Sequence, residues 1–209
     1  MRFSIPRFYA ILDAAQIAGQ PPATVCEALL AAGVRLIQYR DKRASSRQLY
    51  ESCCRLARQV RQAGGTFIVN DRADIACAAH TDGVHLGQED LPVELACRFL
   101  APGMCVGVST HTLGQVREAD RSSADYVAFG PIYPTLSKTK PDRVVGVEGL
   151  REARKLTGKP LVAIGGITRE KAHEVIAAGA DSVAVIADLL KAPDIGQRAK
   201  EFLRILGDS

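Results

Sequence analysis

No segment of this 209-residue sequence approaches the ~18 uninterrupted apolar residues that a membrane span requires. The start, Met1-Arg2-Phe3-Ser4-Ile5-Pro6, carries no apolar run of signal-peptide length either. The six cysteines (Cys26, Cys53, Cys54, Cys77, Cys97 and Cys105) include no Cys-x-x-Cys pair, which argues against a zinc site. Cys53 and Cys54 are adjacent, an awkward start for a disulfide framework, so the thiols read as buried and free in a reducing cytoplasm. Three signature motifs are missing: G-x-x-x-x-G-K-[ST], G-x-G-x-x-G and H-E-x-x-H. Gly107-Val108-Ser109-Thr110-His111 lacks the second glycine of a nucleophile elbow, so Ser109 is not a hydrolase serine by that pattern. Nor is there a basic stripe with interleaved aromatics, which removes nucleic acid as a partner.

The composition is that of a soluble globular protein, with 47% hydrophobic and 24% charged residues. A chain of this length buries one sizeable core, and nothing in it reads as a linker, so residues 1–209 are expected to form a single domain. The net charge of +4 is mildly basic, and its meaning depends on where the cations fall.

The strongest organisational signal is alternation. Short apolar runs recur at Phe8–Leu12, Arg35–Gln38, Thr66–Val69, Gly83–Leu86, Cys105–Val108, Tyr126–Phe129, Leu161–Ile164 and Ser182–Ile186. Helical spacing follows at 22–32, 45–63, 72–79, 92–100, 112–121, 147–157, 168–178 and 193–206. Continuous apolar runs of this length fit strands buried on both faces, as in a parallel sheet under helices. Thr168 stands as a helix N-cap, and Gly33, Gly64, Gly158 and Gly179 stand where helices should stop. Eight strand–helix units of about 26 residues match the (β/α)8 TIM barrel at its compact end. A doubly wound open sheet is the alternative, but it rarely needs so many units in so short a chain.

A barrel places its site at the C-terminal ends of the strands, so polar residues should directly follow the apolar runs. They do: Gln38, Arg40 and Lys42; Asn70 and Asp71; Gln88 and Asp90, with His85 just before; Ser109 and His111; then Gly165 and Gly166. After the sixth run comes a long loop, Gly130-Pro131-Ile132-Tyr133-Pro134-Thr135-Leu136-Ser137-Lys138-Thr139-Lys140, which reads as a lid or a plain surface loop. Arg40, Lys42 and Lys138 converging on one mouth suit a polyanion such as pyrophosphate. Asp71 and Asp90 read either as a Mg2+ pair beside substrate phosphates or as helix caps. Gly165-Gly166 reads either as a phosphate cradle or as a tight turn needing positive φ. His80 and His173 fall in helical stretches as surface or packing residues, whereas His85 and His111 at the rim are candidate acid–base groups.

At these residues the chain resembles the thiamine-phosphate synthase family nearly end to end. The carrying segments are Gln38-Tyr39-Arg40-Asp41-Lys42, Asn70-Asp71-Arg72, Gly83 through Pro92, Gly107 through His111, Gly130 through Lys138 and Val162 through Ile167. The resemblance implies a (β/α)8 barrel that joins an aminopyrimidine diphosphate to a thiazole phosphate with Mg2+, releasing pyrophosphate. It implies that Gln38 contacts the pyrimidine, that Arg40, Lys42, Asn70 and Lys138 bind pyrophosphate, and that Asp71 and Asp90 hold Mg2+. Thr135 and Ser137 would lie near the thiazole phosphate, and Gly166 with Ile186 and Ala187 would cradle it. Ser109 would lie beside the reacting carbon, with Arg40 and Lys138 as its catalytic companions. Two positions depart from the family pattern: Ser137 stands where threonine is common, and Ala187 where serine is common. Loss of a side-chain hydroxyl at 187 matters only if that hydroxyl, and not the backbone N–H, binds phosphate.

Two other readings stay open on sequence: a thiazole tautomerase-like isomerase, for which His111 would suit proton transfer, and a non-catalytic sensor of phosphorylated metabolites. The expected partners are small-molecule substrates, without nucleic acid or membrane, in a cytoplasmic homodimer. Arg40, Lys42 and Lys138 give the net charge its location, while Arg55, Arg58, Arg61 and Arg151 lie on helical stretches among acids.

Overall fold

Apolar strands that bury both faces need a layer on each side, and a closed barrel supplies one of them from its own interior. The computed structural model, which describes residues 5–135 and 142–208, shows that arrangement. Eight parallel strands close in sequence order: β1 (Phe8–Asp13), β2 (Leu36–Arg40), β3 (Thr66–Asn70), β4 (Gly83–Leu86), β5 (Cys105–Thr110), β6 (Tyr126–Phe129), β7 (Leu161–Ile164) and β8 (Ser182–Val185). The last strand pairs with the first through Phe8↔Val183 and Ala10↔Val185. Around them run α1 (Pro22–Ala31), α2 (Ser46–Gln62), α3 (Ala73–Ala78), α4 (Val93–Ala96), α5 (Leu113–Arg121), α6 (Gly146–Arg154), α7 (Arg169–Ala177), α8 (Ala187–Leu190) and α9 (Ile195–Leu206).

Strand alternation divides the core in two. Tyr9, Ile11, Leu36, Ile68, Cys105, Tyr126, Ala128, Val162 and Ala184 fill the barrel interior. The opposite faces, including Phe8, Ala10, Ile37, Phe67, Val84 and Val106, pack with the helices in a larger cluster. On α2 the apolar residues Leu49, Cys53, Leu56, Ala57 and Val60 recur at helical spacing and are buried. Ser45 opens that helix with a capping box: its Oγ accepts from the Gln48 N–H, and the Gln48 Oε1 accepts from the Ser45 N–H at 2.9 Å. Thr112 and Gln115 repeat the device at α5.

Several boundaries differ from the sequence reading. The second strand runs on to Arg40, because its inward face stays paired through Asp13↔Arg40. The helix expected over 92–100 is the single turn α4, where Leu95 within it and Phe99 beyond it are exposed. The helix α6 stops at Arg154, and Gly158 lies past that end without the left-handed φ that Gly33, Gly64 and Gly179 adopt. Thr168 holds the N-cap position of α7 but makes no capping hydrogen bond. His80 sits beyond the end of α3 at φ 50°, exposed, not inside a helix. The run ending at Ile186 stops at Val185, and the short α8 that follows had no signal distinguishing it from the strand.

Candidate active site

The strand periodicity that fills the barrel with apolar side chains also aims the last inward residues at its mouth. Gln38 and Arg40 from β2, Asn70 from β3, His85 from β4 and Ser109 from β5 line one cavity of about 570 Å³. Thr135, Gly165, Gly166, Ile186 and Ala187 complete its opposite wall. The structure therefore brings together eight of the residues that sequence assigns to substrate: Gln38, Arg40, Asn70, Ser109, Thr135, Gly166, Ile186 and Ala187. Ser137 and Lys138 lie outside the described residues.

Lys42, Asp71 and Asp90 are not among the lining side chains but form a second group beside Asn70. Lys42 Nζ lies 3.0 Å from Asp71 Oδ2, on an ammonium arm whose side chain is 59% exposed. Asp71 adopts φ 65°, rare for a residue with a Cβ, and its N–H donates to the His85 carbonyl at 2.8 Å. Asp90 Oδ2 accepts from the Gly87 N–H at 2.6 Å. Burial raises the Asp90 carboxyl above the usual carboxylate range; the Gly87 N–H opposes that shift, while the adjoining Asp71 adds to it. Neither acid caps a helix, since Arg72 and Pro92 occupy the N-cap positions without a capping side-chain bond. The capping alternative is thereby removed. Asp71 and Asp90, adjoining one another with Lys42 and Asn70 alongside, are the pair that could hold a divalent cation. Among the described residues no cluster of three or more His, Cys, Asp or Glu forms a fuller set of ligands.

Gly165 (φ 99°) and Gly166 (φ 63°) satisfy the turn reading, and a Cβ at either would collide with the 131–134 segment. Both also line the cavity, so the turn is what exposes their backbone there. His111 lines the cavity, with Nδ1 2.7 Å from the Gly130 carbonyl and Nε2 3.5 Å from Asp142 Oδ2. His85 is 6% exposed, its Nε2 2.9 Å from Ser109 Oγ.

Some participants escaped the sequence reading. Asp13, 2% exposed at the end of β1, holds Arg40 Nη1 at 2.6 Å while its other oxygen accepts from the Ala15 N–H at 3.0 Å. The rule that polar residues follow apolar runs would have found it, because Asp13 directly follows Phe8–Leu12. Asp188 and Arg198, paired at 2.8 Å, and Lys191 also line the wall near Ala187. Asp188 and Lys191 gave no signal, since α8 itself was not anticipated, and Arg198 falls in the helix expected over 193–206, where it reads as a surface cation.

With this geometry in place, the chain can be set against known proteins. Residues 8–189 match the family model for thiamine monophosphate synthase. The chain belongs to that family. Thiamine-phosphate synthase from Koribacter versatilis is 52% identical over 206 residues, covering 97% of this chain and 96% of that protein. The Chloroflexus aurantiacus thiamine-phosphate synthase is 41% identical, over 94% of this chain and 90% of the relative. Among solved structures, thiamine phosphate pyrophosphorylase from Pyrococcus furiosus superposes with a TM-score of 0.88 at 35% identity, covering 97% and 96% of the two chains. Family membership agrees with the resemblance read from the motifs, and the fold agrees with the barrel read from the alternation.

Proposed function

We propose that this chain is a thiamine-phosphate synthase, a transferase joining an aminopyrimidine methyl diphosphate to a hydroxyethylthiazole phosphate with loss of pyrophosphate. The observation that carries the reading is one mouth in which Gln38, Arg40, Asn70 and Ser109 face Gly166, Ile186 and Ala187 across a single cavity. That layout gives two phosphorylated substrates separate walls and a shared centre.

Gln38 orients the pyrimidine at the cavity floor, and Arg40, fixed by Asp13, offers its guanidinium fork to the diphosphate. Lys42 and Asn70 extend that anion site, and Lys138, outside the described residues, is assigned to the same diphosphate by its sequence position. Asp71 and Asp90 would hold Mg2+, which when bound would neutralise charge developing on the departing pyrophosphate. The electron-rich pyrimidine then carries positive charge on its methylene as the C–O bond breaks, with Ser109 beside that carbon. Thr135, Ser137 and the backbone at Gly166, Ile186 and Ala187 hold the thiazole phosphate, so the ring nitrogen meets the methylene carbon in line. Positioning and electrostatics supply the catalysis, with little acid–base work.

The proposal includes one domain spanning residues 1–209, small-molecule substrates without nucleic acid or membrane, a cytoplasmic setting and a homodimer. Six unpaired thiols support the reducing compartment. Exposed Leu91, Leu95 and Phe99 give a homodimer apolar surface to cover. No helix among the described residues is long and apolar enough to cross a membrane.

The test is pyrophosphate release from both substrates, with and without Mg2+. Turnover requiring both substrates and the metal is expected, and Asp71→Ala or Lys138→Ala should each lower it about 100-fold. Near-normal turnover in either variant sinks the residue assignment. No release by the unaltered protein sinks the activity and leaves an isomerase or a sensor.

A further inference from the structure

At the floor of the cavity, five polar side chains from five strands form one unbroken hydrogen-bonded line across the barrel interior. Gln38 Nε2 donates to Tyr9 OH at 2.7 Å. Tyr9 OH lies 2.9 Å from Tyr126 OH, which lies 3.0 Å from His85 Nδ1. His85 Nε2 lies 2.9 Å from Ser109 Oγ. Tyr9, Gln38 and Tyr126 are all at most 2% exposed, and His85 6%. Only the two ends, Gln38 and Ser109, are assigned to substrate in the proposed reaction. The three residues between them have no part in it.

The line is built, not incidental. Gly107 stands opposite the Tyr126 ring, and any Cβ there would overlap it. Tyr126 also packs edge-on against Tyr9 and stacks on His85, with ring centroids 6.1 Å and 5.5 Å apart. Burial pushes both phenols above their usual range, so each keeps its proton and can donate only once. A neutral imidazole likewise carries one N–H, and its two nitrogens must take opposite roles. Where each proton is spent on the next member of the line, the donors run in one direction or the other throughout.

The two directions present different faces to a ligand. When Gln38 donates to Tyr9, the amide carbonyl and its second N–H are left side by side. That pair complements an aminopyrimidine edge, an amino N–H next to a ring nitrogen, as glutamine complements adenine. The same direction runs Tyr9 to Tyr126 to His85 Nδ1, places the imidazole proton on Nε2, and has Ser109 accept from it. The Ser109 O–H is then left to donate to an oxygen of the diphosphate ester. In the opposite direction Ser109 donates to His85 and shows the ester only lone pairs, while Tyr9 donates to the Gln38 carbonyl. Changing direction requires the imidazole proton to change nitrogen and the glutamine amide to turn over, so the ends change together.

We infer that Tyr9, Tyr126 and His85 are positioning residues forming a polarity relay, which ties recognition of the pyrimidine amino group at Gln38 to the hydroxyl that Ser109 offers the diphosphate ester. This rests on the assignment of Gln38 and Ser109 to the pyrimidine substrate. The relay makes the amino group a specificity element. An analogue with an oxo group in its place offers an acceptor where the amide carbonyl also accepts, and it sets the line in the direction that withholds the Ser109 proton.

The experiment measures binding of the aminopyrimidine diphosphate and of its 4-oxo analogue by calorimetry, in the unaltered protein and in Tyr126→Phe. The variant keeps the ring in the Gly107 space and cuts the line at its middle. The amino-over-oxo preference should fall about tenfold in the variant, the size of one hydrogen bond's net contribution. In steady-state turnover, the loss caused by Ser109→Ala should shrink in the Tyr126→Phe background, because the link is already broken. The KM for the thiazole phosphate should not move. An amino-over-oxo preference equal in the two proteins, or losses that simply add, overturns the relay. Should Tyr126→Phe fail to fold, Tyr9→Phe cuts the next link and is read the same way. Pyrophosphate release by the unaltered protein is scored separately: its absence overturns the proposed reaction, while the binding comparison still decides the relay. If the unaltered protein binds neither diphosphate, the relay falls as well.

Discussion

At the scale of single residues, the mouth depends on a few side chains whose partners fix them. Asp13 is nearly fully buried, and its 2.6 Å ion pair with Arg40 crosses from the first strand to the second. Asp13→Ala leaves the guanidinium without its carboxylate, so the expected cost is about 3 kcal/mol in urea unfolding, with a raised KM for the diphosphate substrate. Asp90 behaves oppositely. Its carboxyl is raised in the folded state by burial and then by Asp71, so ionised Asp90 opposes folding at neutral pH. Asp90→Asn keeps an acceptor for the Gly87 N–H and removes one of two like charges. The expected result is a higher Tm without metal, together with at least a tenfold rise in the Mg2+ concentration needed for activity. An unchanged Mg2+ requirement would reject the pairing of Asp71 with Asp90. Most of these residues were legible in the sequence because each directly follows a buried run, and barrel geometry turns that position into a place at the mouth. Tyr9 and Tyr126 were not. An inward tyrosine in a strand looks like any other large core side chain until the partner of its hydroxyl is known.

At the scale of elements, close approach and helix anchoring decide the outcome. Gly107 of the fifth strand faces the Tyr126 ring of the sixth, and Gly83 faces the backbone of Cys105. Gly107→Ala should cost about 3 kcal/mol, read from the urea midpoint, since a rigid ring and not a flexible tip blocks the added methyl. The helices after the seventh and eighth strands are tied by charge. Glu201 accepts from Arg169 at 2.6 Å and from Arg198 at 3.2 Å, and Arg198 also reaches Asp188 at 2.8 Å. The Arg169 guanidinium holds the Glu201 carboxyl below its usual range. A depressed folded pKa gives stability that is complete above the unfolded value and disappears as pH falls through the folded one. Glu201→Gln should therefore lower Tm at neutral pH, and the difference should close in strong acid. A difference that persists there would point to packing in place of charge. Helix existence was legible from periodicity, but helix length was not. The expected helix over 92–100 shrank to one turn because its apolar residues Leu95 and Phe99 find no core to cover. The short helix opening at Ala187 was hidden because an apolar strand continuing into Ile186-Ala187 gives no change of period.

At the scale of the whole molecule, the two-layered core governs which groups solvent can reach. Cys26, Cys53 and Cys105 are buried, and burial pushes each thiol up to about 12. Native protein at neutral pH should resist alkylation at these three, with mass spectrometry finding them modified only after denaturation; Cys54, Cys77 and Cys97 are half-buried. The sequence reading of buried thiols is thus correct for three of the six. Closure carries a different consequence. The first strand finds its second neighbour only in Ser182–Val185, and the last helix returns to it: Phe8 stacks on Phe202, and the Phe8 N–H donates to Asp208 at 2.6 Å. During synthesis, a chain that has emerged only as far as its seventh strand exposes two unpaired edges, one at each end of an open sheet. Until Ser182–Val185 leaves the ribosome, that sheet is a template for pairing with other chains. Chaperone demand should accordingly fall on the nascent protein after its seventh strand has emerged and before its eighth, when nearly the whole apolar barrel is made and its seam is still open.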